Sequence, residues 1–475
     1  MNYGFRKLST RTKLVAAALA LVLAGVSHAQ TQAGGGATLP SIGYVGSNAA
    51  SNLQVWDGTG STATIATGSL FGQYIATTGN PDVSYCLTGS GAGKDILAGV
   101  TLSGVTYNVQ NSCVKTSGIV NGFGAGLTGV NRSDLTQPNF AAADSPLAAS
   151  DYTNYVSGHT ATGAYPVQFP AVAGAVAIAF NLKDSEGNQV TSSEVNFTDA
   201  QICSIFDGTV TNWDATTLAS AFTLPTGDSI PSEPINVQYR SDGSGTTFSL
   251  SNHLANVCGE INSTFFETSQ AFTTVVSNFE PTIPSNWTGS SGNAAVANAV
   301  ADTTNSIGYV ETANALATNP GLQFADVNGT SPTANFGTAL NVPAAAVVFN
   351  EVINTTNASN GTAQLEAISA ISGVTNPPTT SCIALVKPAL YAKPGALGGV
   401  VPSGSYPIVA ISYLLANAIG NGTDLTNTKN LLAFPYTVTQ SNVTTIGGTT
   451  GLAFLTPTGT TPAYSATSIK ACLTN

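Results

Sequence analysis

Arginine almost disappears from this chain beyond residue 29: only Arg132 and Arg240 remain in a sequence of 475 residues. Any chemistry that needs a guanidinium fork has two places to sit. Charged residues of all kinds make up only 8%. The clustered Lys and Arg that nucleic acid and anionic membranes require are missing, so neither is expected as a partner. Histidine stops at His28, His159 and His253, and no CxxC pair occurs. That excludes a zinc site of the usual spacing, and no cofactor is expected. Beyond residue 29 no apolar run is long enough to span a bilayer, so no membrane insertion of that part is expected.

The N-terminus differs from the rest. Arg6, Lys7, Arg11 and Lys13 precede an apolar run from Leu14 to Val26, followed by Ser27-His28-Ala29 before Gln30. A basic stretch, a short apolar stretch and small residues at −3 and −1 are the layout of an export signal cleaved near Ala29-Gln30. The expected location is periplasmic or secreted. Removing the signal leaves 9 basic against 24 acidic residues, a net charge of −15.

The six cysteines, Cys86, Cys113, Cys203, Cys258, Cys382 and Cys472, all lie beyond the signal. An even count in an exported chain argues for three disulfides. Fifteen pairings exist; neighbours in chain order is the working choice, joining Cys86–Cys113, Cys203–Cys258 and Cys382–Cys472.

An apolar content of 43% is enough for real cores. Ala171–Asn181 is a continuous apolar run of strand length, as in a sheet buried on both faces. Residues 197–207 have helical spacing, with Thr198 able to cap. Ile235–Arg240 and Ser306–Glu311 read as strands, and Thr246–Val257 and Asn293–Asp302 as helices. The alternation predicts an α/β fold with a largely parallel sheet. Residues 341–380, rich in Asn, Thr, Ala and Pro, read as an insertion or long surface loop.

Four short segments carry chemistry. In YRSDGSGTT (239–247) a strand ends on Arg240, a glycine turn follows, and a helix begins. The amides of Ser244, Gly245 and Thr246 then lie at a positive helix end, and Arg240 adds a bidentate fork for an oxyanion. Taken alone, this also serves as a plain glycine turn with Ser244 as cap. GGGATLP (34–40) offers a second donor loop through Thr38 and Leu39. TGSGAGK (88–94) places Ser90 between glycines; it fails the Walker pattern, having Thr88 for the first Gly and Asp95 for the final Ser or Thr. In AAADSPL (141–147) Asp144 is an isolated acid, which taken alone also serves as a turn aspartate.

In this order the segments resemble the phosphate-binding subunits of bacterial phosphate ABC transporters, and more closely the DING-type phosphate-binding proteins. ICSIFDGTVTNWD (202–214), NSIGYVE (305–311) and SGSYPIVAISYLL (403–415) share the likeness, which runs from about residue 34 to 455. The resemblance implies a type II periplasmic-binding-protein fold, two lobes with one phosphate in the cleft, serving an ABC permease. It implies donors at Thr38, Leu39, Ser90, Arg240, Ser244, Gly245 and Thr246, with Asp144 accepting the phosphate proton. Asp242 stands in the turn as in the transporter subunits, where DING members commonly carry another acid. The lobes are expected at 30–168 plus 342–475 and at 169–341, in a monomer.

An acid in an anion site follows from hydrogen-bond inventory. Phosphate keeps a proton at neutral pH, and an ionised carboxylate only accepts. Sulfate, with no proton, would set lone pairs against it. Two other readings compete: a DING-like secreted phosphatase, and an envelope structural protein that has lost the ligand. Against an enzyme, neither Ser90 nor Ser244 fits the G-x-S-x-G elbow. The expectation is a binding protein without catalysis.

Overall fold

A computed structural model describes residues 30–47, 54–56, 63–114, 120–259, 264–337 and 339–475. The export signal expected over 1–29 lies outside them. Nine strands form the spine: β1 (Gln32–Gly36), β2 (Gln54–Trp56), β3 (Val83–Leu87), β4 (Ala141–Ala143), β5 (Pro166–Asn181), β6 (Asn236–Arg240), β7 (Thr288–Ser290), β8 (Ser306–Glu311) and β9 (Val409–Asn417). Their order across the sheet is β7-β6-β8-β5-β9-β4-β1-β3-β2. Strands Gln323–Val327, Asn196–Phe197, Ala339–Pro343 and Leu452–Thr458 extend it off this path.

Strand β5 is the apolar run expected from the sequence, extended to 16 residues and buried at all but its last position. Its N-terminal part, through Ala175, pairs with β9, and from Val176 onward it pairs with β8. One strand therefore carries both flanks of the sheet. Pro170 sits inside it without an N–H to donate, and the β9 ladder skips a residue there, between Ser412 and Tyr413.

The sheet is mixed, which corrects the expectation of a largely parallel one. On the flanks β1 pairs parallel with β3 and β4, and β6 parallel with β7 and β8. The central strands β5 and β9 run antiparallel to each other and to β8 and β4. They connect the flanks instead of belonging to one βαβ series.

Four helices matter for the site: α1 (Ser90–Ala98), α2 (Gly245–Val257), α3 (Asn293–Asp302) and α4 (Thr312–Thr318). A further helix, Asp199–Phe206, begins where Thr198 accepts from the Gln201 amide, the cap read from the sequence. The segment 341–380 is more ordered than a loop. Glu351–Thr356 and Ala363–Ala367 form an antiparallel hairpin, and Val347–Phe349 pairs with Ala384–Val386. Ile353, Leu385 and Phe248 of α2 make a small apolar cluster of their own. Its Asn and Thr content masks the alternation that marks a strand.

Three disulfides close the chain in sequence order: Cys86–Cys113, Cys203–Cys258 and Cys382–Cys472.

Candidate anion-binding site

Three helix N-termini meet between the flanks of the sheet. Helix α1 starts at Ser90 behind Gly89, whose φ of 89° is a left-handed conformation open to glycine. Helix α2 starts behind Ser244, whose Oγ accepts from the Thr247 amide at 3.1 Å. The Gly245 and Thr246 amides are left at the open end of the helix. Helix α3 starts at Asn293. The flanks touch here, since the Gly91 amide donates to the Gly243 carbonyl at 3.2 Å.

Asp144 is the centre of the arrangement. Ser90 Oγ donates to Asp144 Oδ2 at 3.1 Å and accepts from the Asp144 amide at 3.0 Å. The other carboxylate oxygen, Oδ1, is buried and makes no hydrogen bond of normal geometry, although the Ser412 hydroxyl and the Leu39 amide lie close enough to act on the carboxyl. Burial pushes this carboxyl up to about 7; Ser412, Ser90, the Arg240 charge and the Leu39 amide pull the other way. Ser412 Oγ also lies 3.2 Å from the Tyr44 hydroxyl.

Arg240 is placed by the end of β6, and Asp242 takes one edge of its guanidinium. Nε donates to Asp242 Oδ1 at 2.7 Å and one terminal nitrogen to Asp242 Oδ2 at 2.6 Å. The end-on edge of the guanidinium, Nη1 with the second N–H of the other terminal nitrogen, remains for a ligand, and Nη1 lies 3.3 Å from Thr246 Oγ1. A two-toothed contact to an oxyanion therefore stays open beside the one made to Asp242. Burial raises the Asp242 carboxyl, but the Arg240 charge, the Arg240 hydrogen bonds and the Gly292 amide together hold the group below the usual carboxylate range.

Thr38 and Leu39 follow β1 in a turn leading to the short helix Ser41–Val45, and both are buried. The eight residues singled out in the sequence, Thr38, Leu39, Ser90, Asp144, Arg240, Ser244, Gly245 and Thr246, all fall in this region. Asp134 is paired with Arg132 at 2.9 Å, and Arg132 also bonds Asp424 at 2.6 Å. Lys94, from the Walker-like run, ion-pairs with Asp151.

Sequence reasoning missed Asn293, Asn314, Glu311 and Ser412. Asn293 Nδ2 lies 3.2 Å from both Thr38 Oγ1 and Thr246 Oγ1. The glycine turn before it, GSSGN (289–293), repeats the style of GSGT and was a usable signal. Glu311 and Ser412 lie in NSIGYVE and SGSYPIVAISYLL, segments marked as a whole without singling out these residues, and Asn314 carries no local mark.

A PBP superfamily domain matches residues 75–420. This chain belongs to the PBP superfamily. It is 30% identical over 331 residues to Alkaline phosphatase L of Pseudomonas aeruginosa, covering 70% of this chain and 69% of that protein. It is also 30% identical over 198 residues to the phosphate-binding protein PstS of Xylella fastidiosa, across 41% of this chain and 45% of the relative. Among solved structures, the phosphate-bound high affinity periplasmic phosphate-binding protein PfluDING matches with a TM-score of 0.54 at 22% identity, covering 93% of each chain. A phosphate-binding protein from Stenotrophomonas maltophilia matches at 0.51 and 22%, covering 89% of this chain and 91% of that one. The α/β binding-protein fold expected from the sequence is the fold of this PBP-superfamily chain. No helix among its described residues is long and apolar enough to cross a membrane.

Proposed function

We propose that this chain is an exported solute-binding protein that captures inorganic phosphate for ABC-type uptake. The single observation that carries the reading is Asp144 Oδ1, a buried acceptor that makes no hydrogen bond of normal geometry although donor groups surround its carboxyl. Such an oxygen costs free energy unless something donates to it. A ligand that is anionic, yet still carries a proton, satisfies both halves of the site.

Thr38 Oγ1, the amides of Leu39, Gly245 and Thr246, the Ser244 hydroxyl and Arg240 would supply donors, and Ser90 would join them by turning its one proton from Asp144 to the ligand. The 30–168 plus 342–475 part would form one lobe and 169–341 the other, with phosphate between them favouring closure. The net charge of −15 on the exported part does not oppose this, because surface charge is screened beyond about 8–10 Å at physiological salt. The PstS relative supports delivery to a permease, and the N-terminal signal supports a periplasmic or secreted location.

The relative named Alkaline phosphatase L favours a second reading, hydrolysis of phosphate monoesters. The geometry gives it less support. Ser244 Oγ is engaged as a helix cap. His253 Nδ1 contacts the Ala392 carbonyl at 2.8 Å, and His159 stacks on Tyr155, so neither histidine serves either serine.

Calorimetric titration of the purified protein with phosphate and sulfate, beside a p-nitrophenyl phosphate turnover assay, tests both readings. Phosphate binding with sulfate excluded and no turnover is the expected result. Turnover would favour the hydrolase, and binding of neither anion would leave the structural reading.

A further inference from the structure

The Thr38–Leu39 turn is held by side chains from the opposite flank of the sheet. Asn314, in α4, sends Nδ2 to the Thr38 carbonyl at 2.9 Å and to the Leu39 carbonyl at 2.8 Å. The same nitrogen lies 2.7 Å from Glu311 Oε2, so two hydrogens are shared among three acceptors. Ser41 Oγ donates back to Asn314 Oδ1 at 3.3 Å.

Glu311 fixes the asparagine. Its carboxylate accepts from the Ala313 amide at 3.0 Å and the Asn314 amide at 2.7 Å, capping α4. The Glu311 amide donates to Asn293 Oδ1 at 3.0 Å, and Asn293 in turn approaches Thr38 Oγ1. All five residues, Thr38, Leu39, Asn293, Glu311 and Asn314, are buried.

Peptide geometry gives these contacts a direction. In a trans peptide the C=O and the next N–H point opposite ways. Drawing the Thr38 carbonyl toward Asn314 turns the Leu39 N–H away from it, to the side on which the Asp144 carboxyl lies. We infer that Asn314, fixed by Glu311, is the positioning residue that aims the Leu39 donor at the site and ties ligand capture to closure of the flanks. This rests on the phosphate reading and extends it to a group that does not touch the ligand.

The loss of Asn314 should loosen the closed state while leaving anion discrimination, which belongs to Asp144, intact. Asn314→Ala is expected to raise the phosphate Kd at least tenfold, mostly through faster dissociation, with the phosphate-to-sulfate ratio unchanged. A general collapse of the site would erode that ratio too. Amide hydrogen exchange of residues 38–45 without ligand should be faster than in the wild type. A Kd within about twofold of wild type, or a lost ratio, overturns the inference. Wild-type protein that takes up no phosphate would sink the binding reading by itself; the exchange comparison then decides the inference, unchanged protection overturning it. Should the alanine variant fail to fold, Asn314→Ser, whose hydroxyl is too short to span both carbonyls, is read in the same assays.

Discussion

Gly245 presses on Asp144 with no room for a side chain. A Cβ on Gly245 would stand 2.2 Å from Asp144 Cβ and 2.7 Å from its backbone. The opening residue of α2 and the acceptor on the other flank meet closely because one of them lacks a side chain. Gly245→Ala should therefore force the helix end away from Asp144. Overpacking of this kind costs about 1–3 kcal/mol, and the displaced amides should weaken phosphate binding by at least about tenfold, or ~1.4 kcal/mol. Calorimetry beside thermal melts checks it; an unaltered Kd would mean that the flanks do not close on the ligand here.

Asp144→Asn turns an acceptor-only group into one that can donate. Sulfate should gain on phosphate, and the ratio of dissociation constants at pH 7 should shrink by about tenfold or more, ~1.4 kcal/mol. Competition titration at fixed ionic strength measures it. Asp242, the acid beside Arg240, is already paired with it and does not stand ready as a substitute acceptor.

Arg240→Ala should lower phosphate affinity by about 2–4 kcal/mol, part of which is the cost of stranding Asp242. The double change Arg240→Ala with Asp242→Ala separates the two. It should regain melting temperature without regaining affinity. A single variant that binds normally removes Arg240 from the site.

Two buried acids make the unliganded protein sensitive to alkali. Burial pushes Asp144 up to about 7 and Glu311 up to about 8, from ordinary values near 4. Between about pH 4 and 8 the folded chain keeps protons that the unfolded chain has released. Stability from these groups is thus fully present below about pH 4 and is lost as pH rises through 7 and 8. Each contributes a fall of at most about 1.4 kcal/mol per pH unit. Glu311→Gln should flatten the decline seen by denaturant melts between pH 5 and 8. A slope identical to wild type would show that Glu311 does not titrate there.

The parts of the site legible in the sequence are those with a local cause. Thr198 as a cap, the apolar run of β5 and the glycine turn before α2 each act within a few residues, so their spacing gives them away. Asn314 could not be found this way: its partner Thr38 lies 276 residues earlier, and an asparagine one turn into a short helix looks like any surface position. Arg240 was legible as a site residue but its orientation was not, because Asp242, two residues on, takes one edge of the guanidinium and leaves the other for a ligand. The direction of the central strands was hidden for another reason. An apolar run states that both faces are buried and says nothing of which way its neighbours run.

The shared strand β5 also governs when the chain can fold. Its long ladder joins Pro166 to Asn417 and Ala175 to Val409, so the central pairing cannot form until nearly the whole polypeptide is available. Contacts this distant in sequence close slowly, because loop entropy is spent before any pairing repays it. During synthesis the β1, β3 and β4 flank emerges with the first half of β5 and no β9 beside it. The strand that locks the two flanks together is therefore among the late ones to arrive.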